Sequence, residues 1–345
     1  RAQTLCWMNM LPLSMKNKAL IALAMLFSTA AQAQTFKEPV DGPELDGLIL
    51  PFDRLTTNTP EAETETPDPG ADLAFGAFQR GYYLTALDLA LPRAESGDPA
   101  AQTLIGEIYS RGLGVARDPV KAAQWYEFAA KGNNREAQFA YGNLLLRGIG
   151  VEIDKDLGET YLRRAAEAGH ARAAFNVGQL IIDGRPTWAG FEEAKPYYEQ
   201  AAAAGVADAN YALFTMYNEA KGVTANDDEK ALGYLRAAAD AGLDTAQVEL
   251  GSWLANGRGT EAAPEEAFTW FARAAARGNV LAQNRLARMY AAGFGVEKDA
   301  VRAGAWHILA RRAGLADTGM DARFAALSDI DRKRALDLSK RLGGG

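Results

Sequence analysis

From Ala101 to Ala287 the chain repeats itself about every 36 residues. One phase opens Ala101-Gln102-Thr103-Leu104-Ile105-Gly106, Ala137-Gln138-Phe139-Ala140-Tyr141-Gly142 and Ala173-Ala174-Phe175-Asn176-Val177-Gly178. It returns at Ala209, Ala246 and Ala282, with offsets of 36, 36, 36, 37 and 36 residues. An aromatic recurs in step at Trp125, Tyr161, Tyr197, Tyr234, Trp270 and Trp306. A glycine recurs at Gly132, Gly169, Gly205, Gly242, Gly278 and Gly314. A unit of this length cannot bury its own apolar face, so successive units must stack into an array. An array also accommodates 345 residues, more than the ~250–300 that one compact core holds.

Each unit reads as two short helices. Ala101, Ile105, Ile108 and Tyr109 fall at i, i+4, i+7 and i+8, one apolar face of a helix. Gly112-Leu113-Gly114-Val115 ends it, because glycine takes the left-handed C-cap conformation without steric cost. Asp118-Pro119 opens the second helix as N-cap and first residue. Ala122, Trp125, Tyr126 and Ala129 line its apolar face, and Gly132 stops it. The expected fold is all-α: a solenoid of six helix pairs over 99–315. A shorter helical pair at 71–98 is expected to cap one end and a charged amphipathic helix within 316–345 the other, since arrays need polar ends to stay soluble.

This unit resembles the Sel1-like repeat, a relative of the tetratricopeptide repeat. In the first unit the likeness rests on Ile105-Gly106, Tyr109, Gly112, Gly114-Val115, Asp118, Lys121-Ala122, Trp125-Tyr126, Ala129-Ala130 and Gly132. The resemblance implies a right-handed superhelix whose first helices line a concave wall. It implies protein–protein contacts, often in signalling or envelope complexes, and no shared catalytic residue.

Three irregularities fall in the third and fourth units. Phe214 replaces the glycine of Gly106, Gly142, Gly178 and Gly251, and its ring is expected to push two helices apart. Pro196 sits past the first turn of a second helix, where it removes a hydrogen bond. The turn 184–190 lacks the usual Gly-x-Gly-Val, and Lys221-Gly222-Val223 keeps only the second glycine. Together they predict a geometric break in the array.

The region ahead of the array has a different character. Residues 1–14 read as an upstream extension and 15–33 as a signal peptide. Lys16 and Lys18 precede an apolar run at 19–27, which is followed by Ala31-Gln32-Ala33, an Ala-x-Ala cleavage signal. The run is shorter than the ~20 residues that span a bilayer. Residues 34–70 read as a disordered linker: the stretch from Phe36 to Gly70 holds six prolines, nine acids and two bases, too few apolar groups to offset the entropy of ordering. Leu48-Ile49-Leu50-Pro51-Phe52 is its one apolar patch, either incidental or a docking motif.

Composition narrows the function. The chain carries 37 Lys+Arg against 44 Asp+Glu, a net charge of −7. Nucleic acid is therefore not an expected partner, since its binding needs a basic face. One cysteine, Cys6, and two histidines leave little material for metal centres or nucleophile–histidine pairs, and no cofactor is expected. His170 and His307 both occupy repeat columns almost four units apart, so they do not converge on one site. The Gly-x-Gly turns lack the Gly-Lys-Ser/Thr of a phosphate loop. Asn226-Asp227-Asp228-Glu229 reads as the acidic start of a helix rather than a calcium loop. No second long apolar run suggests a membrane-integral chain.

Two columns of the first helices are the candidate binding residues. Phe139, Phe175 and Tyr211 are aromatic in three successive units; Gln102, Gln138, Asn210 and Gln247 supply amides beside them. On a concave wall they would anchor a peptide through apolar contacts and amide hydrogen bonds. The competing reading is that the aromatics pack between units. The expected function is thus a non-enzymatic exported scaffold, periplasmic or secreted, that binds a protein, a peptide or an envelope polysaccharide. The alternative is a hydrolase of cell-wall material, betrayed by a buried carboxylate pair with shifted pKa in a closed pocket.

Overall fold

The computed structural model describes residues 72–343. The chain divides into two units, 1–67 and 68–345, and every described helix belongs to the second. The segments read as upstream extension, signal peptide and linker lie outside the described residues.

Among the described residues there are sixteen α-helices and no strand. α1 (Leu73–Gln79) and α2 (Tyr83–Glu95) precede the repeats. Six pairs follow: α3 (Pro99–Arg111) with α4 (Pro119–Lys131), α5 (Arg135–Arg147) with α6 (Lys155–Glu167), and α7 (Ala171–Gly184) with α8 (Trp188–Ala203). Then come α9 (Ala207–Glu219) with α10 (Asp228–Asp240), α11 (Asp244–Asn256) with α12 (Pro264–Ala276), and α13 (Val280–Ala292) with α14 (Ala300–Arg312). α15 (Thr318–Ala325) and α16 (Asp329–Gly343) close the unit, α16 packing on α14. From α1 to α15 each helix packs on the next in sequence, which makes the fold an α-solenoid.

Local chemistry sets the helix ends. Asp118, Asp154, Asp227 and Asp299 each accept a backbone N–H from three residues on, the N-cap bond of a second helix. The turn after each first helix folds onto the preceding unit. At Gly150 a Cβ would stand 2.0 Å from the Pro119 carbonyl oxygen, so only glycine lets this turn seat on the start of α4. Gly259 meets Asp228 and Gly295 meets Pro264 in the same way.

Alanine fills the innermost column. Ala101, Ala137, Ala173, Ala209, Ala246 and Ala282 are all buried, and their small size brings adjacent helices close. Around them lie aromatic rings of the second helices. Tyr126, Tyr198 and Phe271 each cover a glycine of their partner helix, at Gly106, Gly178 and Gly251.

Phe214 corrects the expectation of helices forced apart. Its ring is buried, edge-on to Trp253 at 5.2 Å. In that unit the covering column holds Leu235 instead of a ring. The Phe214 ring thus packs beside Trp253 of the following first helix. Pro196 is likewise absorbed: α8 runs unbroken through it for sixteen residues. The left-handed C-cap of α9 falls on Ala220 (φ 52°), where four other first helices use glycine.

Gly132 ends α4 as expected. It has φ −77°, and the left-handed turn belongs to Asn133 (φ 58°), the structural counterpart of Gly169. The 37-residue spacing from Gly132 to Gly169 was the sign of this one-residue offset.

Candidate protein-interaction surface

The aromatic column of the first helices is engaged by the array itself, within and between units. The Phe139 ring stacks on His170 at 4.2 Å. His170 caps α7: its Nδ1 accepts the Ala173 N–H at 3.0 Å, which leaves Nε2 to donate to Glu136 at 3.0 Å. Phe175 lies 5.8 Å from the Tyr198 ring. Tyr211 lies 5.3 Å from Phe214 and donates its hydroxyl to Glu249 at 2.9 Å. All three keep partial exposure.

The amide column is turned away from solvent, which corrects its assignment as a set of ligand-binding amides. Gln102, Gln138 and Gln247 are buried. Their Nε2 groups donate to the carbonyls of Ala94, Ala130 and Ala239, each eight residues earlier and in the preceding helix, at 2.9, 3.3 and 3.1 Å. Gln283 does the same to Ala275 at 3.4 Å. These amides clip one unit to the last turn of the unit before. Asn210, also buried, donates to the carbonyl of Val206, the residue just before its own helix. The spacing that marked them is therefore that of a junction between units.

Among the described carboxyls, one is raised. Burial raises the Glu249 carboxyl above the usual range, against the lowering pull of the Tyr211 hydroxyl and of Arg258. Nearby Glu219 pairs with Lys221 at 2.5 Å. His307 is buried, with Nε2 2.9 Å from Asp321 and Nδ1 without a partner. Among the described residues no three His, Cys, Asp or Glu side chains gather as a metal site. No described helix is long and apolar enough to cross a membrane.

A different surface stands out. The second helices all point their N-termini to one edge of the array, and the turns of the following units fold onto that edge. Along it, Leu84 is 57% exposed, Val120 53%, Ile153 59% and Trp188 50%, with Leu157 beside Ile153. Gly114 of the first turn sits against Tyr83 and Leu84, and Gly150 of the next against Pro119 and Val120, so the turns bridge one apolar start to the next. Asp156 already stands at the place of Val120 in the second unit, and the helix starts of the fourth and fifth units carry Asp228 and Glu229, then Glu265 and Glu266, with Asp228 paired to Arg258 and Glu266 to Arg236. Reasoning from periodicity missed this edge because it looked for buried stripes. The available signal was an apolar residue two places into a helix and off its buried face, as at Leu84 and Val120.

The family model for the Sel1 repeat matches six times, at residues 99–134, 135–170, 171–206, 207–243, 245–279 and 280–315. The chain belongs to the Sel1 repeat family. Among solved structures it is similar to a Sel1 repeat protein from Oxalobacter formigenes, at 28% identity and a TM-score of 0.57, over 71% of this chain and 97% of that one. It also matches c5321, a protective antigen of uropathogenic Escherichia coli with the same kind of fold, at 26% identity and a TM-score of 0.47, over 75% of this chain and 64% of that one. The comparison with curated proteins returns no match. Sel1-repeat proteins act as protein–protein interaction scaffolds, typically without catalysis. In this Sel1 array the repeat boundaries fall at the Gln102, Gln138, Gln247 and Gln283 clips.

Proposed function

We propose that this Sel1-repeat chain is an exported, non-enzymatic scaffold that holds a protein partner along the edge from Leu84 to Trp188. The observation that carries the reading is that edge: four large apolar side chains, each at least half exposed, at or just before the starts of successive second helices. Scattered surface hydrophobics are ordinary, but a row continued by packed turns marks a contact surface. Aromatic and aliphatic anchors of this kind supply most of the affinity of an interface. Export rests on the charged, apolar and Ala-x-Ala succession over 15–33, and an envelope setting follows from it.

The test is site-specific photocrosslinking in intact cells. A crosslinker at Val120 or Ile153 is expected to trap a discrete protein, and one at Glu265 is not. The trapped protein is then purified and titrated against Val120→Asp and Ile153→Asp chains. At least a tenfold loss of affinity, with unchanged melting temperature, supports the edge; unchanged affinity ends the reading. N-terminal mass spectrometry of the same material checks export, with Gln34 as the expected first residue.

A further inference from the structure

α15 starts at Thr318, 36 residues after Ala282, the place of a seventh first helix. It lasts eight residues where the repeats have thirteen or more, and α16 then packs on α14. A cavity of about 230 Å³ lies where this helix stops short. Ala303, Met320, Phe324 and Leu327 form its apolar wall. Two cations, Lys298 and Arg323, line it, and none of its ten lining residues is an acid. Both cations are exposed, and neither forms an ion pair among the described residues. The nearest acids in sequence are engaged elsewhere. Asp299 caps α14 at the Arg302 N–H and pairs with Arg302, and Asp321 holds His307 and Arg311. Glu297 lies outside the lining.

We propose that this cavity binds the C-terminal residue of a partner polypeptide, its apolar side chain in the pocket and its free carboxylate between Lys298 and Arg323. Apolar walls with two uncompensated cations call for an apolar group attached to an anion. The volume selects the class: it falls below the ~300–1,000 Å³ of clefts that enclose drug-sized ligands, so it takes one large side chain rather than a long acyl chain. Arg323 presents a planar fork suited to a carboxylate, and Lys298 adds a second positive charge. Capture of a terminal carboxylate by fixed donors is an established mode of peptide recognition. The site is separate from the Leu84–Trp188 edge, so either proposal can fail without the other.

The test uses the full chain and fluorescein-labelled peptides Ser-Gly-Ser-Gly-Ser-X, with X as Leu, Met or Phe, read by fluorescence anisotropy. At least one free-acid peptide is expected to bind, and its C-terminal amide to bind at least tenfold more weakly. Lys298→Gln and Arg323→Gln should each weaken the acid several-fold and leave the amide unchanged. Ala326→Trp, at an exposed lining position, should block the pocket without shifting the melting temperature. Decanoate is the competing source of the same chemistry. Tighter binding of decanoate than of every peptide, equal binding of acid and amide, or no peptide binding at millimolar concentration each overturns the proposal.

Discussion

The ring of Tyr198 lies so close over Gly178 that a Cβ there would stand 2.7 Å from it. The missing methyl makes room on α7 for the ring carried by α8, and Tyr198 is among the largest fully buried side chains of the array. Adding it back forces the ring or a helix to move, since the interior is close-packed. Gly178→Ala is expected to destabilise by about 1–3 kcal/mol, the usual cost of overpacking. Urea unfolding of the two chains measures it.

Phe214 and Leu235 reverse that arrangement, which predicts a signed coupling. Leu235→Phe alone puts two rings into one space, and Phe214→Gly alone leaves a void. Each is expected to cost about 2–4 kcal/mol. The double variant restores the glycine-and-ring pattern of Gly251 with Phe271 and should cost at least ~1 kcal/mol less than the two singles summed. Strict additivity would show that the two columns do not share space.

Much of the fold was legible because stacking forces equivalent residues into equivalent places. Asp118 before Pro119 and the column of Ala101 to Ala282 each have one structural solution. Phe214 was misjudged because a column shows which side chain is unusual without showing which partner has changed to suit it; the compensating Leu235 lies 21 residues on. Gln138 and Gln247 were misjudged for a related reason. A recurring polar residue on a helix has the same spacing whether it faces solvent or clips a carbonyl in the next helix. The apolar edge was unread because Leu84, Val120 and Trp188 lie in different contexts and share only a position at a helix start.

Two left-handed positions without glycine offer direct gains. Ala220 has φ 52° and Asn133 φ 58°. An L-residue other than asparagine pays about 1–2 kcal/mol in this region. Ala220→Gly is expected to raise stability by ~1 kcal/mol after the entropic cost of glycine in the unfolded chain. Asn133→Gly should gain less, because asparagine tolerates the conformation. Thermal melts of both variants rank them.

Asp317 ties the last repeat to the terminal cap. It is 7% exposed and accepts from Asn284 Nδ2 and Arg288 Nε, both at 2.8 Å, and from the Met320 N–H at 3.1 Å. Burial raises its pKa, but these donors outweigh burial and hold the carboxyl down at about 2, against 3.8 unperturbed. A carboxyl lowered on folding stabilises above its unfolded pKa, so this contribution is complete above about pH 4 and drains away as the pH falls towards 2. Asp317→Asn is expected to cost ~1–2 kcal/mol at pH 7 and to flatten the loss of stability between pH 4 and 2. Equal pH slopes in the two chains would contradict this.

The aromatic column should report on stability rather than recognition. Phe175→Ala removes a half-buried ring packed near Tyr198 and is expected to cost about 2 kcal/mol. Tyr211→Phe deletes the hydroxyl donor to Glu249 and should cost about 1 kcal/mol. Both are read from denaturant midpoints, beside the affinity of the partner trapped at Val120. An affinity loss in folded Phe175→Ala would return that column to the binding surface.

The edge that begins at Leu84 changes character along its length: large apolar side chains as far as Trp188 give way to ion pairs, Asp228 with Arg258 and Glu266 with Arg236. Such a gradient gives the array a heading. If the proposed partner lies along this edge, one with an apolar end and a polar end fits it one way round, and turning it over would set polar groups on grease. The scaffold would then dictate which terminus of its guest leads and which trails, as a keyed rail does for a carriage, without any additional contact devoted to orientation.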